Sequence, residues 1–409
     1  MKEILKKVDE AIVEEFRKNE EIEEYNSKKV LQAFQEEKVS EADMSGSTGY
    51  GYGDMGREKA EKIFAKVFKT EDALVRMQFI SGTHSITTCL FGILRPGDTV
   101  LSINGKPYDT LDEVIGIREN PSSLKAFGVK YEQIDLIGNK FDLAQIKERV
   151  AKKDIKLVMI QRSRGYAYRN AFLISELEEA IKTVKEADQN VMVMVDNCYG
   201  EFTDTKEPTE VGADFCVGSL IKNMGAGIAR TGGYVVGTKE VIELISDRYS
   251  APGLGKEGGA TFDFNRSVLQ GIFMAPHTVC EAKKVDIFAA KLLEELGYEV
   301  SPKYNEKRSD IVQMIKFNDS QKLIKFCQAI QMNSPVDSHV VPEPWDMPGY
   351  ENKIIMASGS FTQGSSIELS CDGPVRPPYV AYLQGGLTYT YGRIAVINAV
   401  KYMSGEFES

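Results

Sequence analysis

Two short apolar runs, each leading into polar residues, limit the fold of this chain more than any other feature of its sequence. Residues 191–195 are all apolar, and Asp196 follows them directly. A second run, residues 215–217, leads through Ser219 to Lys222 in a glycine-rich loop. Apolar runs of this length, rich in β-branched residues, are typical of strands buried on both faces of a parallel sheet. The sequence therefore predicts a carboxylate at the tip of a buried strand.

Strand-like and helical patterns alternate on both sides of these runs. Residues 157–161 predict a strand and residues 174–187 an amphipathic helix, after which the chain returns to the strand at 191. Such alternation predicts a mostly parallel sheet that is covered by helices on both sides. Beyond residue 265 a long helix and shorter strands predict a smaller α+β domain. We therefore divide the chain into an N-terminal helix and glycine-rich arm (1–56), a large α/β domain (57–265) and a small C-terminal domain (266–409).

Composition excludes several classes of partner. The net charge is -10 and the pI about 5.2, which argues against a nucleic-acid or anionic-membrane surface. The N-terminus has no apolar segment typical of a signal peptide, and no run approaches the length of a membrane span, so we expect a cytoplasmic protein. The three histidines and six cysteines lack the paired spacing of metal ligands, so the sequence predicts no metal site.

Asp196 and Lys222 both require an explanation. A buried carboxylate needs a cation or hydrogen-bond donors, and that partner could belong to a ligand. Apolar neighbours of Lys222 would lower the pKa of its amine. A strand-end aspartate followed by a Ser-x-x-Lys loop rich in glycine is typical of pyridoxal 5'-phosphate (PLP) enzymes, in which the amine forms a Schiff base and the carboxylate pairs with the pyridinium nitrogen. Alone, either residue could be a helix cap or a solvated lysine.

Other segments offer contacts to such a cofactor. Ser81, Gly82 and Thr83 precede a helical run, and the free N–H groups of a helix start attract anions. The helix dipole contributes only about 0.3–1 kcal/mol, so a phosphate would also need side chains such as Ser219 and Arg57. Tyr108 lies in a loop after a predicted strand, where it could stack on a planar ring or be an ordinary surface tyrosine.

Two arginines are further candidates for binding anionic groups. Tyr50, Tyr52 and Arg57 belong to a glycine-rich loop that lacks the strand-helix-strand frame of a dinucleotide site. Arg57 could clamp a phosphate or be a solvated residue in the first turn of a helix. Arg376 lies between prolines, which would hold it in place for a substrate carboxylate; a surface turn is the alternative.

Taken together, several motifs resemble a known family over nearly the whole chain. They are GYGYGDMGRE, ALVRMQFISGTH, GKPYDTL, IQRSRGY, VDNCYGEF, GSLIKN and GPVRPPY. The chain resembles PLP-dependent enzymes of fold type I, the aspartate aminotransferase fold. Within that fold it is most similar to the aluminium resistance proteins, also called methionine γ-lyase-like proteins, a branch akin to the cystathionine γ-synthase and β-lyase enzymes.

The resemblance implies an α/β fold with a large, mostly parallel seven-stranded sheet domain and a smaller α+β domain. It implies a homotetramer built from dimers, with active sites shared between subunits. It further implies that Lys222 forms the Schiff base, that Asp196 pairs with the ring nitrogen and that Tyr108 stacks on the ring. The phosphate would be held by Gly82, Thr83 and Ser219. Tyr52 and Arg57 would contact the phosphate of a neighbouring subunit. The choice of Tyr52 over Tyr50 stays open.

The sequence departs from the cystathionine branch in two places. Ile221 stands where those relatives carry a second hydroxyl before the lysine, so Ser219 must act alone or another group must replace it. Their carboxylate-binding arginine lies in a motif that this chain lacks, and Arg376 is assigned by its chemistry instead.

The expected activity is carbon–sulfur bond cleavage by β- or γ-elimination from an amino acid that resembles cystathionine, methionine or cysteine. In that reaction Lys222 would take the Cα proton, and Tyr108 would assist proton transfer or stack on the ring. Two alternatives remain open. One is an aldol-type carbon–carbon lyase acting on a β-hydroxy amino acid, and the other is a PLP-binding protein without significant turnover.

Overall fold

The computed structural model describes residues 1–347 and 350–406. Its α-helices are α1 (Lys2–Glu36), α2 (Met55–Val67), α3 (Gly82–Ile93), α4 (Asp112–Ile115), α5 (Leu143–Val150), α6 (Ile174–Ala187), α7 (Lys239–Tyr249), α8 (Asn265–Glu295), α9 (Ser320–Met332) and α10 (Tyr389–Ser404). Its strands are β1 (Asp72–Arg76), β2 (Thr99–Ser102), β3 (Lys130–Gln133), β4 (Leu157–Gln161), β5 (Met192–Asp196), β6 (Phe215–Ser219), β7 (Gly233–Gly237), β8 (Glu299–Ser301), β9 (Val312–Lys316), β10 (Ile354–Ala357), β11 (Ser370–Pro374) and β12 (Val380–Gln384).

The first seven strands form one sheet in the order β1-β7-β6-β5-β4-β2-β3. The pairs from β3 to β6 are parallel, whereas β7 is antiparallel to both of its neighbours, β6 and β1. Strand β5 is buried as its sequence predicts, and Asp196 is its last residue. The prediction of a large, mostly parallel seven-stranded sheet is therefore confirmed.

The remaining five strands form an antiparallel sheet in the order β10-β11-β12-β9-β8. The sequence suggests a strand at residues 366–369, and this prediction is wrong. Backbone hydrogen bonds from Ser365 to Thr362 and from Glu368 to Ser365 instead hold that segment in turns. The strand begins at Ser370, and it forms with β12 a hairpin that the sequence pattern did not reveal.

Helix α1 joins the two parts of the chain. Val8 and Ile12, near its start, pack into the core of the small domain. Val30 and Ala33, near its end, pack into the core of the large domain. Helix α1 thus packs on the body of the chain, against both cores. Helix α8, which begins at the predicted domain boundary, also contributes to both cores.

Two features of residues 1–347 and 350–406 bear on function. None of the helices described there combines the length and the apolar character needed to cross a membrane. The same residues contain no cluster of three or more histidine, cysteine, aspartate or glutamate side chains arranged to hold a metal ion.

Candidate active site

A cavity lies at the carboxyl edge of the parallel strands, where open α/β sheets usually bind ligands. The large domain contributes most of the residues that line it, and the small domain contributes residues of β9, β11 and β12. Its lining includes Tyr108, Tyr166, Asp196, Tyr199 and Lys222 from the large domain and Asp372 and Gln384 from the small one. Two predicted residues that lie 26 positions apart, Asp196 and Lys222, thus face the same space.

Asp196 reaches the cavity because it ends β5. It pairs in register with Gln161 on one side and Val217 on the other, so its position is fixed by the sheet. Its Oδ1 accepts a hydrogen bond from the backbone N–H of Cys198 at 3.1 Å. Burial raises the pKa of Asp196 above its usual value, although the Lys222 ammonium and the Cys198 N–H act in the opposite direction. A cationic ring nitrogen beside this carboxylate would offset the unfavourable burial.

Lys222 follows β6 by three residues and points at the ring of Tyr199, with its Nζ 4.1 Å from the ring centroid. Burial lowers the pKa of Lys222, but Cys198, Tyr199 and Asp196 outweigh burial and hold that pKa above its usual value. The expectation that apolar neighbours lower this pKa is therefore wrong, because the side chains around the amine are polar and aromatic.

The N-terminus of α3 forms a small cradle beside these residues. Ser81 caps the helix by accepting a hydrogen bond from the N–H of His84 at 3.0 Å. A Cβ placed on Gly82 would lie 3.5 Å from the Cys198 Sγ and 3.6 Å from the Ser219 Cβ. The helix start therefore faces the ends of β5 and β6 across a gap that a side chain would fill. Thr83 joins this region, and its Oγ1 lies 2.9 Å from that of Thr110.

Ser219 is buried at the end of β6, and its Oγ accepts a hydrogen bond from the N–H of Ile221 at 3.3 Å. The serine hydroxyl can still donate its own hydrogen to an anion in the cradle. Ile221 itself offers no hydroxyl, so backbone N–H groups of α3 and the Ser219 hydroxyl are the donors that the cradle provides. This arrangement suits a phosphate at a helix N-terminus.

Tyr108 lies in the loop after β2, and its hydroxyl shares a short hydrogen bond with the hydroxyl of Tyr350. Its ring also packs at 6.0 Å, centroid to centroid, from the ring of Tyr166. A side chain on Gly165 would lie 2.9 Å from Cδ2 of Tyr108, so this glycine allows the loop after β4 to approach the ring closely. Stacking of Tyr108 on a cofactor ring stays a prediction.

Tyr50 and Tyr52 lie at the surface, 78% and 60% exposed, and stack on each other with ring centroids 5.5 Å apart. Arg57 is 2% exposed, and its guanidinium donates to the carbonyls of Gly51, Glu257 and Gly259 at 2.7–3.0 Å. Arg57 thus links the loop that contains Gly51 to the loop that contains Glu257 and Gly259 through hydrogen bonds. Its predicted contact with a neighbouring subunit's phosphate stays a prediction, and it would require these hydrogen bonds to be exchanged.

Arg376 lies in the turn between β11 and β12 and is exposed. It lines an open cleft of about 440 Å³ together with Tyr108, Gln161 and Tyr166, which also line the cavity that contains Lys222. Arg376 therefore lies in a cleft that adjoins the cavity, and binding of a substrate carboxylate there stays a prediction.

Sequence reasoning missed several residues of the cavity. Tyr199 is three positions after Asp196, and the marker motif VDNCYGEF already contains it. Asp372 and Gln384 belong to the β11–β12 hairpin, so they could not be assigned once that hairpin was overlooked. Their contribution depends on how the small domain packs against the large one, and the local pattern carries no signal of that packing.

The cavity residues fit PLP. The cofactor needs an amine for its aldehyde, a carboxylate for its ring nitrogen, donors for its phosphate and aromatic neighbours for its ring. Lys222, Asp196 and Tyr108 line one cavity. The α3 cradle with Ser219 adjoins it at Cys198, which also lines the cavity. The fit rests on the gap at Gly82 and on the donor set rather than on any one residue.

Comparison with known proteins agrees with a PLP site built from these residues. The family model for methionine gamma-lyase matches residues 1–404. A solved structure of a carbon-sulfur lyase involved in aluminum resistance from Clostridium novyi NT is 51% identical, with TM-score 0.94, and the match covers 97% of this chain and 94% of that one. A candidate cystathionine beta-lyase involved in aluminum resistance from Clostridium acetobutylicum is 50% identical, with TM-score 0.95, and the match covers 98% and 95% of the two chains.

A more distant structure agrees in fold alone. The pyridoxal-5'-phosphate dependent protein YhfS from Escherichia coli is 18% identical, with a TM-score of 0.64 over 96% of this chain and 97% of that one. The architecture is thus that of the PLP-dependent fold type I enzymes, as the sequence predicts.

Proposed function

The chain belongs to the methionine gamma-lyase family, and on that premise we propose that it is a PLP-dependent carbon–sulfur lyase. Its substrate in this proposal is a sulfur-containing amino acid that resembles cystathionine, methionine or cysteine, and the reaction is β- or γ-elimination. The observation that carries the proposal is that Asp196 and Lys222 line one cavity, and that the α3 cradle adjoins this cavity at Cys198. When bound, the PLP ring supplies an electron sink for the negative charge that develops at Cα.

The residues of the chain then have distinct roles. Lys222 would hold the cofactor through its amine, and the same amine would take the Cα proton as general base. Asp196 keeps a proton on the ring nitrogen, because a buried carboxylate stabilises a cation beside it. Tyr199 orients the amine of Lys222 through its ring face. Gly82, Thr83 and Ser219 hold the phosphate.

Substrate orientation requires a cation for the α-carboxylate, and we assign this role to Arg376. Arg376 lines the cleft that adjoins the cavity, and this cleft shares Tyr108 and Tyr166 with the cavity. A guanidinium binds a carboxylate through two parallel hydrogen bonds, which would fix the substrate's direction.

We also propose that the protein acts as a homo-oligomer built from dimers, with Tyr52 near a neighbouring subunit's phosphate. The support is an exposed apolar surface made of Tyr50, Tyr52, Ile80 and Phe262. These residues are neighbours, since Gly259 donates to the carbonyl of Tyr50, Phe262 donates to that of Ser47, and Gln78 donates to that of Ala260. Ile80 directly precedes the α3 cap, so a partner covering this surface would also border the cradle.

The test is an assay of the purified holoenzyme with cystathionine, methionine, cysteine and threonine. We expect release of a thiol or hydrogen sulfide together with pyruvate or 2-oxobutyrate from at least one sulfur amino acid. Release of an aldehyde or glycine from threonine alone would replace the proposal with a carbon–carbon lyase. Cofactor colour without turnover over a broad amino-acid panel would replace it with a PLP-binding role.

A further inference from the structure

The cavity contains a second carboxylate that the roles above do not use. Asp372 lies on β11 of the small domain, where it pairs with Met356 of β10 and Tyr382 of β12. Its side chain is 9% exposed and lines the same cavity as Asp196 and Lys222. Asp372 thus faces Lys222, the proposed acceptor of the Cα proton, from the opposite domain.

A hydrogen bond orients the carboxyl of Asp372, and few positive charges surround it. The Gln384 amide donates to its Oδ1 at 3.3 Å. The titratable groups that face it are Tyr108, Tyr166, Tyr199, Tyr350 and Lys222. Among the described residues that line this cavity, Lys222 is the one cation. Burial raises the pKa of Asp372 to about 7, against the opposing effects of Tyr166, Gln384 and Lys222, so near neutral pH the carboxyl carries a proton for much of the time.

We propose that Asp372 is the general acid that protonates the departing sulfur atom. This inference rests on the proposed carbon–sulfur lyase function and deepens it. Asp372 lines the same cavity as the amine that serves Cα, and in β-elimination the leaving sulfur is two bonds from Cα. The small domain therefore supplies an acid, while the large domain supplies the base.

The proton balance of β-elimination closes with these two residues. The Lys222 amine takes the Cα proton and becomes an ammonium, and the former Cα–H electron pair forms the Cα–Cβ double bond. The Cβ–S bond breaks with both electrons going to sulfur, and the Asp372 carboxyl gives its proton to that sulfur to form a neutral thiol. The Lys222 ammonium then releases its proton to water, and the Asp372 carboxylate takes one up from water, so that both residues return to their starting states. No oxidant, reductant or further reactant is required.

The tyrosines of the cavity are poorer candidates for this step. The hydroxyl of Tyr108 is engaged with Tyr350, and that of Tyr199 lies 3.0 Å from the Oγ of Ser366. Burial raises the pKa of these two phenols and of Tyr166, the third tyrosine of the cavity, above 10, whereas an alkyl thiol has a pKa of about 8.5. Proton transfer to an alkyl thiolate is uphill from such a phenol and downhill from a carboxyl with a pKa of about 7.

The test compares holoenzymes carrying Asp372 or D372N on two substrates that differ in their leaving group. An S-alkyl cysteine releases a thiolate that needs a proton, while S-(4-nitrophenyl)cysteine releases a far less basic thiolate that does not. General acid catalysis contributes roughly 10²–10⁴-fold, so D372N should lower kcat with the alkyl substrate by about 100-fold or more. With the nitrophenyl substrate we expect a change of less than about fivefold.

Two outcomes would overturn the inference: equal losses of kcat with both substrates, or no loss with either. Loss confined to substrates with a distal ammonium group, whatever the thiol, would also overturn it, because Asp372 would then recognise a cation. If the unchanged holoenzyme releases thiol from neither substrate, the proposed lyase function itself fails, and this result is distinguishable from the others.

A second measurement is independent of elimination. Exchange of the Cα hydrogen of L-alanine with deuterated water, followed by NMR, reports on Lys222 because alanine has no leaving group. D372N should exchange at the rate of the unchanged enzyme, and a matched loss of exchange would contradict a role confined to the leaving group. D286N is the control, since Asp286 is also a fully buried carboxylate but does not line the cavity. It should not change the ratio of the two substrates' rates.

Discussion

The Nζ of Lys222 lies 4.1 Å from the centroid of the Tyr199 ring. Tyr199 adopts a φ of 72°, in the left-handed region that a residue with a side chain rarely enters. Its hydroxyl lies 3.0 Å from the Oγ of Ser366, which comes from the small domain. A strained backbone held by contacts from both domains is typical of a functional site, and here it places an aromatic face against the proposed catalytic amine.

The ring face of Tyr199 should therefore control the pKa of Lys222. We expect Y199L to lower that pKa, because a cation–π contact worth about 0.5–2 kcal/mol is lost. Before PLP is added, labelling of Lys222 by an amine-reactive reagent should extend to lower pH, as followed by mass spectrometry. Y199F keeps the ring and loses only the hydroxyl, so its labelling profile should lie closer to that of the unchanged protein. Identical profiles for Y199L and the unchanged protein would argue against this role.

Arg57 should contribute to stability through the loops that it joins. R57A removes a charged donor from the carbonyls of Gly51, Glu257 and Gly259, and we expect it to lower the free energy of unfolding by about 2–4 kcal/mol. Urea denaturation measures this change. R266A is the matched control, since Arg266 makes an exposed pair with Glu41 and should change stability by less than about 1 kcal/mol. Equal stability of R57A and R266A would contradict the assignment.

Glu201 should make stability fall as pH rises. Its carboxyl is fully buried, accepts a hydrogen bond from Tyr234 at 2.7 Å, and has a pKa that burial raises from 4.5 to about 8. Between about pH 5 and 8 the unfolded chain loses a proton that the folded chain keeps, so the folded state is progressively disfavoured.

E201Q removes this titration while its amide oxygen can still accept from Tyr234. We expect E201Q to reduce the loss of unfolding free energy between pH 5 and 8 by about 1–3 kcal/mol, measured by urea denaturation at each pH. E58Q, at an exposed position of α2, should leave the pH dependence unchanged. An equal fall in E201Q and in the unchanged protein would show that Glu201 is ionised in the folded state over this range.

The exposed apolar surface should govern assembly. We expect the double substitution Y52S and F262S to lower the molar mass measured by light scattering on a sizing column, because both side chains are about 60% exposed in the single chain. V341S and W345S change a second exposed pair in the small domain and serve as the control. Unchanged mass in the first variant would place the interface elsewhere.

Local patterns predicted much of the large domain. Helix α6 spans the residues expected from its apolar periodicity, and β5 ends at Asp196 as its buried run implies. Both depend on neighbours within a few positions. The sequence pattern does not reveal the hairpin of β11 and β12. Ile367 and Leu369 belong to a segment of turns, yet their side chains are buried, and their alternating apolar pattern therefore predicts a strand at the wrong residues.

The part of the candidate site that depends on local sequence could also be predicted. Lys222 and Asp196 follow strand ends, and position at a strand end is readable from sequence. Arg57 looked available to a phosphate because the carbonyls that bind its guanidinium include those of Glu257 and Gly259, about 200 positions away. Asp372 was overlooked because packing between the two domains brings it to Lys222.

The central claim is that Lys222 is the residue that binds PLP covalently. The most direct measurement is reduction of the PLP-loaded protein with borohydride, followed by digestion and mass spectrometry of the peptides. We expect a phosphopyridoxyl group on the peptide that contains Lys222, and no such label there in K222A. Label on another lysine, or a protein that takes up no PLP at all, would contradict it.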